Sequence, residues 1–127
     1  MFGFHPANPP ITDWRGRHIW VIGASAGIGK AVAHSLQTQG AQLTLSARNL
    51  SAVETDEKLS DCRCIAMDIS DTQSIASAIE QVTKPIDVVM IFAGSYQAGA
   101  LINHSQQAIQ QTIATNLTGV IDCCHQL

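Results

Sequence analysis

The 127-residue sequence predicts an α/β fold, a doubly wound parallel sheet of four strands in the order 3-2-1-4 with helices on both faces. Short apolar runs alternate with segments of helical periodicity, and no two runs are joined by a hairpin signal, so crossover connections and parallel neighbours are expected. Ile86 to Gly94, "IDVVMIFAG", is apolar almost throughout, the mark of a strand covered on both faces. The winding reverses between strands 1 and 4, which puts a ligand crevice at their carboxyl ends.

Each element follows from a local signal. Pro6, Pro9 and Pro10 make residues 1–13 an extended arm, and residues 14–127 form the domain. His18 to Gly23 reads as a buried strand, after which Ile28, Val32 and Leu36 recur at helical spacing until Gly40 stops the helix. Ala41 to Ala47 is a second strand and Cys62 to Ile69 a third, with a polar, weakly helical segment between them. Ser70 or Asp71 caps a helix whose apolar face is Ile75, Ala78, Ile79 and Val82, with Pro85 beyond it. After the fourth strand and a loop through Asn103, a last helix presents Ile109, Ile113, Leu117, Val120, Ile121 and Cys124 on one side.

Composition narrows the ligand. A hydrophobic fraction of 46% places the chain among soluble globular domains, and a net charge of −3 leaves no broad basic surface for nucleic acid. The expected partner is a small molecule. No segment reads as a secretory signal or a membrane span, so the cytoplasm is the expected location. The cysteines at 62, 64, 123 and 124 lack C-x2-C spacing and read as buried free thiols, and the histidines are scattered singly, so no metal site is expected.

The stretch "WVIGASAGIGKAV" puts three glycines between strand 1 and its helix. A helix start carries unpaired N–H groups and the positive end of the dipole, and glycines let a backbone approach a diphosphate closely. A P-loop is a poorer fit: five residues separate Gly23 from Gly29, and Lys30 is followed by Ala31 rather than a magnesium-binding hydroxyl. Lys30 is expected to point into solvent, with the option of lending charge to a phosphate.

The spacing Gly-x3-Gly-x-Gly in "GASAGIG" resembles that of the short-chain dehydrogenases/reductases, whose Rossmann-like cofactor half would cover nearly this whole chain. The resemblance implies that Gly23, Ser25, Ala26, Gly27, Ile28 and Gly29 meet the diphosphate side of a nicotinamide cofactor. In "MDIS", Asp68 would accept from the adenine amino group and the Ile69 backbone would touch the ring. "IFAG" stands where the family has Asn-Asn-Ala-Gly: Ala93 and Gly94 match, whereas Ile91 and Phe92 replace both asparagines, and Ile22 replaces a threonine. "TNLTG" resembles the family's Asn motif, so Asn116 would belong to the catalytic apparatus, organising a water chain to the lysine. It lies within the apolar stripe of its helix, where an amide requires partners.

Cofactor preference is read from strand 2. NAD binders place a carboxylate at this strand's end, and NADP binders replace it with a nearby Arg. Here Ala47 and Arg48 occupy the position, so NADP(H) is expected over NAD(H).

The family's Ser and its Tyr-x-x-x-Lys are absent. The single tyrosine, Tyr96, has Ala100 where the lysine would stand. The final "DCCHQL" shows no helix stop, and family members are longer. The sequence is therefore expected to be the cofactor-binding portion of an NADP(H)-dependent carbonyl or alcohol oxidoreductase, truncated after about four strands and inactive alone. A non-catalytic dinucleotide-binding or interaction module is the alternative. An uncovered strand 4 is expected to drive homo-oligomerisation.

Overall fold

The computed structural model describes residues 9–127. The expected arm over residues 1–13 lies partly outside them, and from Pro9 to Asp13 the chain is irregular and exposed. Among the described residues Trp14 is the first whose side chain packs against the core.

Four parallel strands form the sheet: β1 (His18–Ile22), β2 (Gln42–Ala47), β3 (Arg63–Ala66) and β4 (Val88–Ile91), in the spatial order β3-β2-β1-β4. Between them lie α1 (Gly27–Thr38), α2 (Ser51–Glu54) and α3 (Thr72–Glu80); after β4 come α4 (Gln106–Ile113), a π turn (Ala114–Thr118) and α5 (Gly119–Gln126). The register of β1 runs Trp20 against Thr44 on one side and against Val89 on the other.

Side chains alternate across a strand, so β1 feeds two cores. Ile19 and Val21 pack with Ala33, Leu36, Leu43 and Leu45 beneath α1. Trp20 and Ile22 pack with Ile65, Met67, Ile75, Ala78 and Cys123 beneath α3 and α5. All five residues of β1 are buried, which is why its sequence shows no polar alternation. Two polar ties cross from β1 to β2 on the second face: Trp20 Nε1 donates to Ser46 Oγ at 2.9 Å, and His18 Nε2 lies 2.8 Å from Thr44 Oγ1. His18 Nδ1 meets the Pro85 carbonyl at 2.8 Å, and a carbonyl only accepts, so this nitrogen carries the hydrogen. These buried partners tolerate one register, because a slip would leave the indole and hydroxyl unpaired at about 1–3 kcal/mol each.

Several expectations are corrected. The third strand ends at Ala66 instead of Ile69, because Met67 to Ile69 turn away while Met67 and Ile69 remain buried. The fourth strand is only half-buried along its length, since β1 is its sole neighbour among the described residues. Ile28 does not share a buried face with Leu36; α1 buries Gly29, Ala33 and Leu36, leaving Ile28 72% exposed.

The last helix differs most. It buries Thr115, Gly119 and Cys123, while Ile113, Leu117, Ile121 and Cys124 face outward. Of the expected stripe Val120 packs on the core and Ile109 is half-buried, but the face is turned because a close approach of backbones decides it. A Cβ on Gly119 would collide with the Ile69 carbonyl, so only glycine lets α5 seat there. Burial pushes the Cys62 and Cys123 thiols up to about 11, which keeps them protonated at neutral pH.

Candidate cofactor-binding site

The helix ends of this fold are treated unequally. Asp71 caps α3 by accepting from the Gln73 and Ser74 amides, and Ser105 caps α4 by accepting from the Ala108 amide. Helix α1 begins after Ala26, which offers no side-chain acceptor, and its first turn contains no acidic residue. Its leading N–H groups and the positive dipole end are thus available to an anion.

The glycine turn sets where that end points. Gly23 has φ +91°, and a Cβ there would run into the Ala93 backbone nitrogen; a Cβ on Gly29 would meet the Gly23 carbonyl. Strand 1, the end of β4 and the start of α1 therefore touch backbone to backbone. The Gly23 and Ala24 amides donate to Ser46 O at 2.7 and 3.1 Å, and the Phe92 and Ala93 amides donate to Ile22 O at 2.7 and 3.1 Å. Beside Gly27 nothing lies within 4 Å of the missing side chain, leaving open space. Gly27 has φ +55°, a conformation that favours glycine.

A cleft of about 190 Å³ opens at the carboxyl ends of the strands. Gly23, Ser25, Ala26, Arg48, Asp68, Ile69, Ala93 and Gly94 all line it, brought together from four separate stretches of chain. Gly27, Ile28 and Gly29 stand just behind, in the first turn of α1, and Asn116 lies outside the lining. Met67, Phe92 and Thr115 also line the cleft, which sequence reasoning missed. Phe92 was legible only as a departure from a motif. It packs with the α1 core, and its Cβ sits 3.1 Å from where a Gly29 side chain would begin. A larger depression of about 460 Å³ lies at the amino ends of the strands, around His18, Thr44 and Cys62. Both His18 nitrogens are already engaged there, and the carboxyl ends are where such sheets bind ligands.

Asn116 is exposed and not embedded in an apolar stripe, a correction that follows from the rotated helix face. Its amide nevertheless has two partners: it accepts from the Ser95 N–H through Oδ1 and donates through Nδ2 to the Ser95 carbonyl, both at 2.7 Å. The π turn at Ala114–Thr118 carries this side chain, so the helix is locally widened where it grips the loop after β4. Tyr96, in that loop, is exposed.

Charge near the cleft is also partitioned. Lys30 is not free for a phosphate or for solvent: its ammonium lies 2.8 Å from Asp56 Oδ2 and donates to Ala52 O at 3.1 Å. His34 Nε2 reaches the same Asp56 oxygen at 2.9 Å. Lys30, ahead of His34 and the Lys58 amide, holds the Asp56 carboxyl down at about 2 against the opposing effect of desolvation. Arg48 is exposed and joins no ion pair among the described residues.

Two outcomes follow. Because the folded Asp56 pKa lies below the unfolded value of about 3.9, its stabilising contribution is complete above about pH 4 and is lost as pH falls towards 2. The difference in urea midpoint between wild type and Asp56→Asn should therefore narrow across that window, and a constant difference would remove the ion pair as its cause. Asn116→Ala should accelerate amide exchange at Ser95 and lower stability by about 1–2 kcal/mol, the scale of two net hydrogen bonds. Unchanged Ser95 exchange would show that the loop is held by other contacts.

The comparisons with known proteins agree with this architecture. The short chain dehydrogenase family model matches residues 17–127. Among curated relatives, 3-dehydrosphinganine reductase TSC10A of Arabidopsis thaliana is 32% identical over 120 residues, covering 90% of this chain and 36% of that protein. The rhamnolipids biosynthesis 3-oxoacyl-[acyl-carrier-protein] reductase of Pseudomonas aeruginosa is 30% identical over 125 residues, covering 93% of this chain and 49% of that protein. The solved Pseudomonas aeruginosa RhlG/NADP active-site complex superposes with a TM-score of 0.79 at 28% identity, over 92% of this chain and 50% of that one. A short-chain type dehydrogenase/reductase from Mycobacterium marinum gives a TM-score of 0.82 at 26% identity, over 90% and 49%. The chain thus spans at most about half the length of these relatives. With the parallel sheet, the glycine turn and the family match in agreement, this chain belongs to the short-chain dehydrogenase/reductase family.

Proposed function

We propose that this chain is the NADP(H)-binding portion of an oxidoreductase that interconverts a small-molecule carbonyl and alcohol. The observation that carries the reading is the uncapped start of α1, whose free amides adjoin a cleft bordered by Arg48. The relatives compared above are named as reductases, and the RhlG structure is an NADP complex, which favours the same class.

In this reading the backbone from Gly23 to Gly29 receives the diphosphate, with Ser25 and Ala26 on the cleft wall and Ile28 offering an apolar side chain beside it. Arg48 pairs with the 2′-phosphate, and the end of β2 carries Ala47 where a carboxylate would repel that group. Asp68 accepts from the adenine amino group, the Ile69 backbone lies along the ring, and Ala93 and Gly94 bring bare backbone to the ribose side. Asn116 acts in this chain as the clamp on the Ser95 loop. When bound, the nicotinamide supplies or accepts the hydride.

Tyr96 has no lysine four residues on, so proton transfer to the substrate oxygen is assigned to residues outside these 127, and the chain alone is expected to bind rather than turn over. Four unpaired thiols accord with a reducing compartment such as the cytoplasm. Self-association belongs to the reading as well, because β4 is an apolar edge and Ile113, Leu117 and Ile121 stand out from the helix beside it.

Titration of the chain with NADPH and NADH tests the nucleotide assignment. NADPH should bind more tightly, and Arg48→Ala should cut its affinity by at least about 1 kcal/mol while leaving NADH nearly unchanged. Equal losses would overturn the 2′-phosphate role, and failure to bind either nucleotide would overturn the reading. Size-exclusion chromatography should give an oligomer; a stable monomer would remove self-association.

A further inference from the structure

We infer that Gln111 is a positioning residue for adenine recognition, acting through Ser70 on the carboxylate of Asp68; the inference rests on the dinucleotide reading above. Asp68 Oδ1 accepts from the Ser70 backbone N–H at 2.9 Å and from the Ser70 hydroxyl at 2.7 Å. Gln111, 41 residues further along on α4, places its amide nitrogen 3.1 Å from the Ser70 oxygen and 3.4 Å from the Thr115 hydroxyl.

The direction of this relay is set by chemistry. An ionised carboxylate only accepts, so the single hydroxyl proton of Ser70 is committed to Asp68. The Ser70 oxygen then turns lone pairs towards Gln111, and a glutamine can meet lone pairs only with its NH2 group. Protons therefore point one way along the chain, from Gln111 to Ser70 to Asp68. Donation into the Ser70 oxygen keeps the hydroxyl from rotating and polarises it towards the carboxylate.

The consequence lies at the cleft. Oδ1 of Asp68 is engaged by Ser70, whereas no protein donor reaches Oδ2 among the described residues. Asp68 thus presents one open acceptor oxygen in a held orientation, on the wall of a cleft that Thr115 also lines. One oriented acceptor suits one N–H donor, the exocyclic amine of adenine. Gln111 is exposed, and its side chain meets Ser70 and Thr115 through the amide.

The test uses the full chain, with NADPH and its hypoxanthine counterpart, in which a carbonyl oxygen replaces the 6-amino group. Wild type should prefer the adenine form. Gln111→Leu and Ser70→Ala should each reduce NADPH affinity roughly three- to ten-fold and leave the hypoxanthine form nearly unchanged. The double variant should be no worse than Ser70→Ala alone, since both changes break one relay. Gln111→Lys, which keeps a donor, should retain most of the base preference. Equal losses for both nucleotides, or additive losses in the double variant, would overturn the relay. Wild-type binding without preference between the bases would overturn this inference alone; binding of neither nucleotide would overturn the dinucleotide reading with it.

Discussion

Backbone contact between the glycine turn and the end of β4 is the constraint on which the rest of the molecule depends. Gly23 is wedged against Ala93, and Gly29 against Gly23, with no room for a methyl group at either place. This contact brings the start of α1 to the mouth of the crevice between β1 and β4. An uncapped helix end is unfavourable in a folded chain unless water or a ligand meets its amides. Here α3 and α4 carry Asp71 and Ser105 as caps and α5 continues from the π turn, whereas α1 starts at a glycine turn with no side-chain cap. The exception coincides with the cleft.

A second backbone contact does comparable work for the last helix. Gly119 sits on the Ile69 carbonyl, which seats α5 against the loop that carries Asp68. From that seat the preceding turns reach both sides of the cleft: Gln111 towards Ser70 and Asp68, and Asn116 towards Ser95. The π turn adds a residue to the helix between these two side chains, changing their relative direction. One helix thereby organises the loop after β3 and the loop after β4. Each loop is anchored at its start by apolar packing, through Met67 and Ile69 in one and Phe92 and Ala93 in the other, and the polar ties to the helix hold what lies beyond.

The electrostatics are local rather than global. A net charge of −3 would not draw an anionic ligand from a distance, so affinity for one must come from a few groups at close range. Lys30 is withdrawn from that role by Asp56 and fastens α1 to the segment after α2 instead. Ile113, Leu117 and Ile121 form an outward apolar row on the last helices, and β4 lies at an edge of the sheet.

The order of elements, the four strands and the glycine turn were legible in the sequence, because each is encoded within a few consecutive residues. Alternation and helical spacing report burial, Asp71 and Pro85 mark helix limits, and Gly-x3-Gly-x-Gly reports a turn that admits no side chains. Most of the cleft lining was legible for the same reason, since the ends of parallel strands converge once the topology is known. The face of the last helix, the fate of Lys30, the place of Phe92 and the partners of Asn116 and Gln111 were decided only by tertiary structure. Each depends on residues some 20 to 70 positions away, such as Asp56 beside Lys30, Ile69 beneath Gly119 or Ile22 beside Phe92. Hydrophobic periodicity states how much a helix can bury, but steric contact between backbones chooses which side is buried, and that contact exists only once the chain has folded.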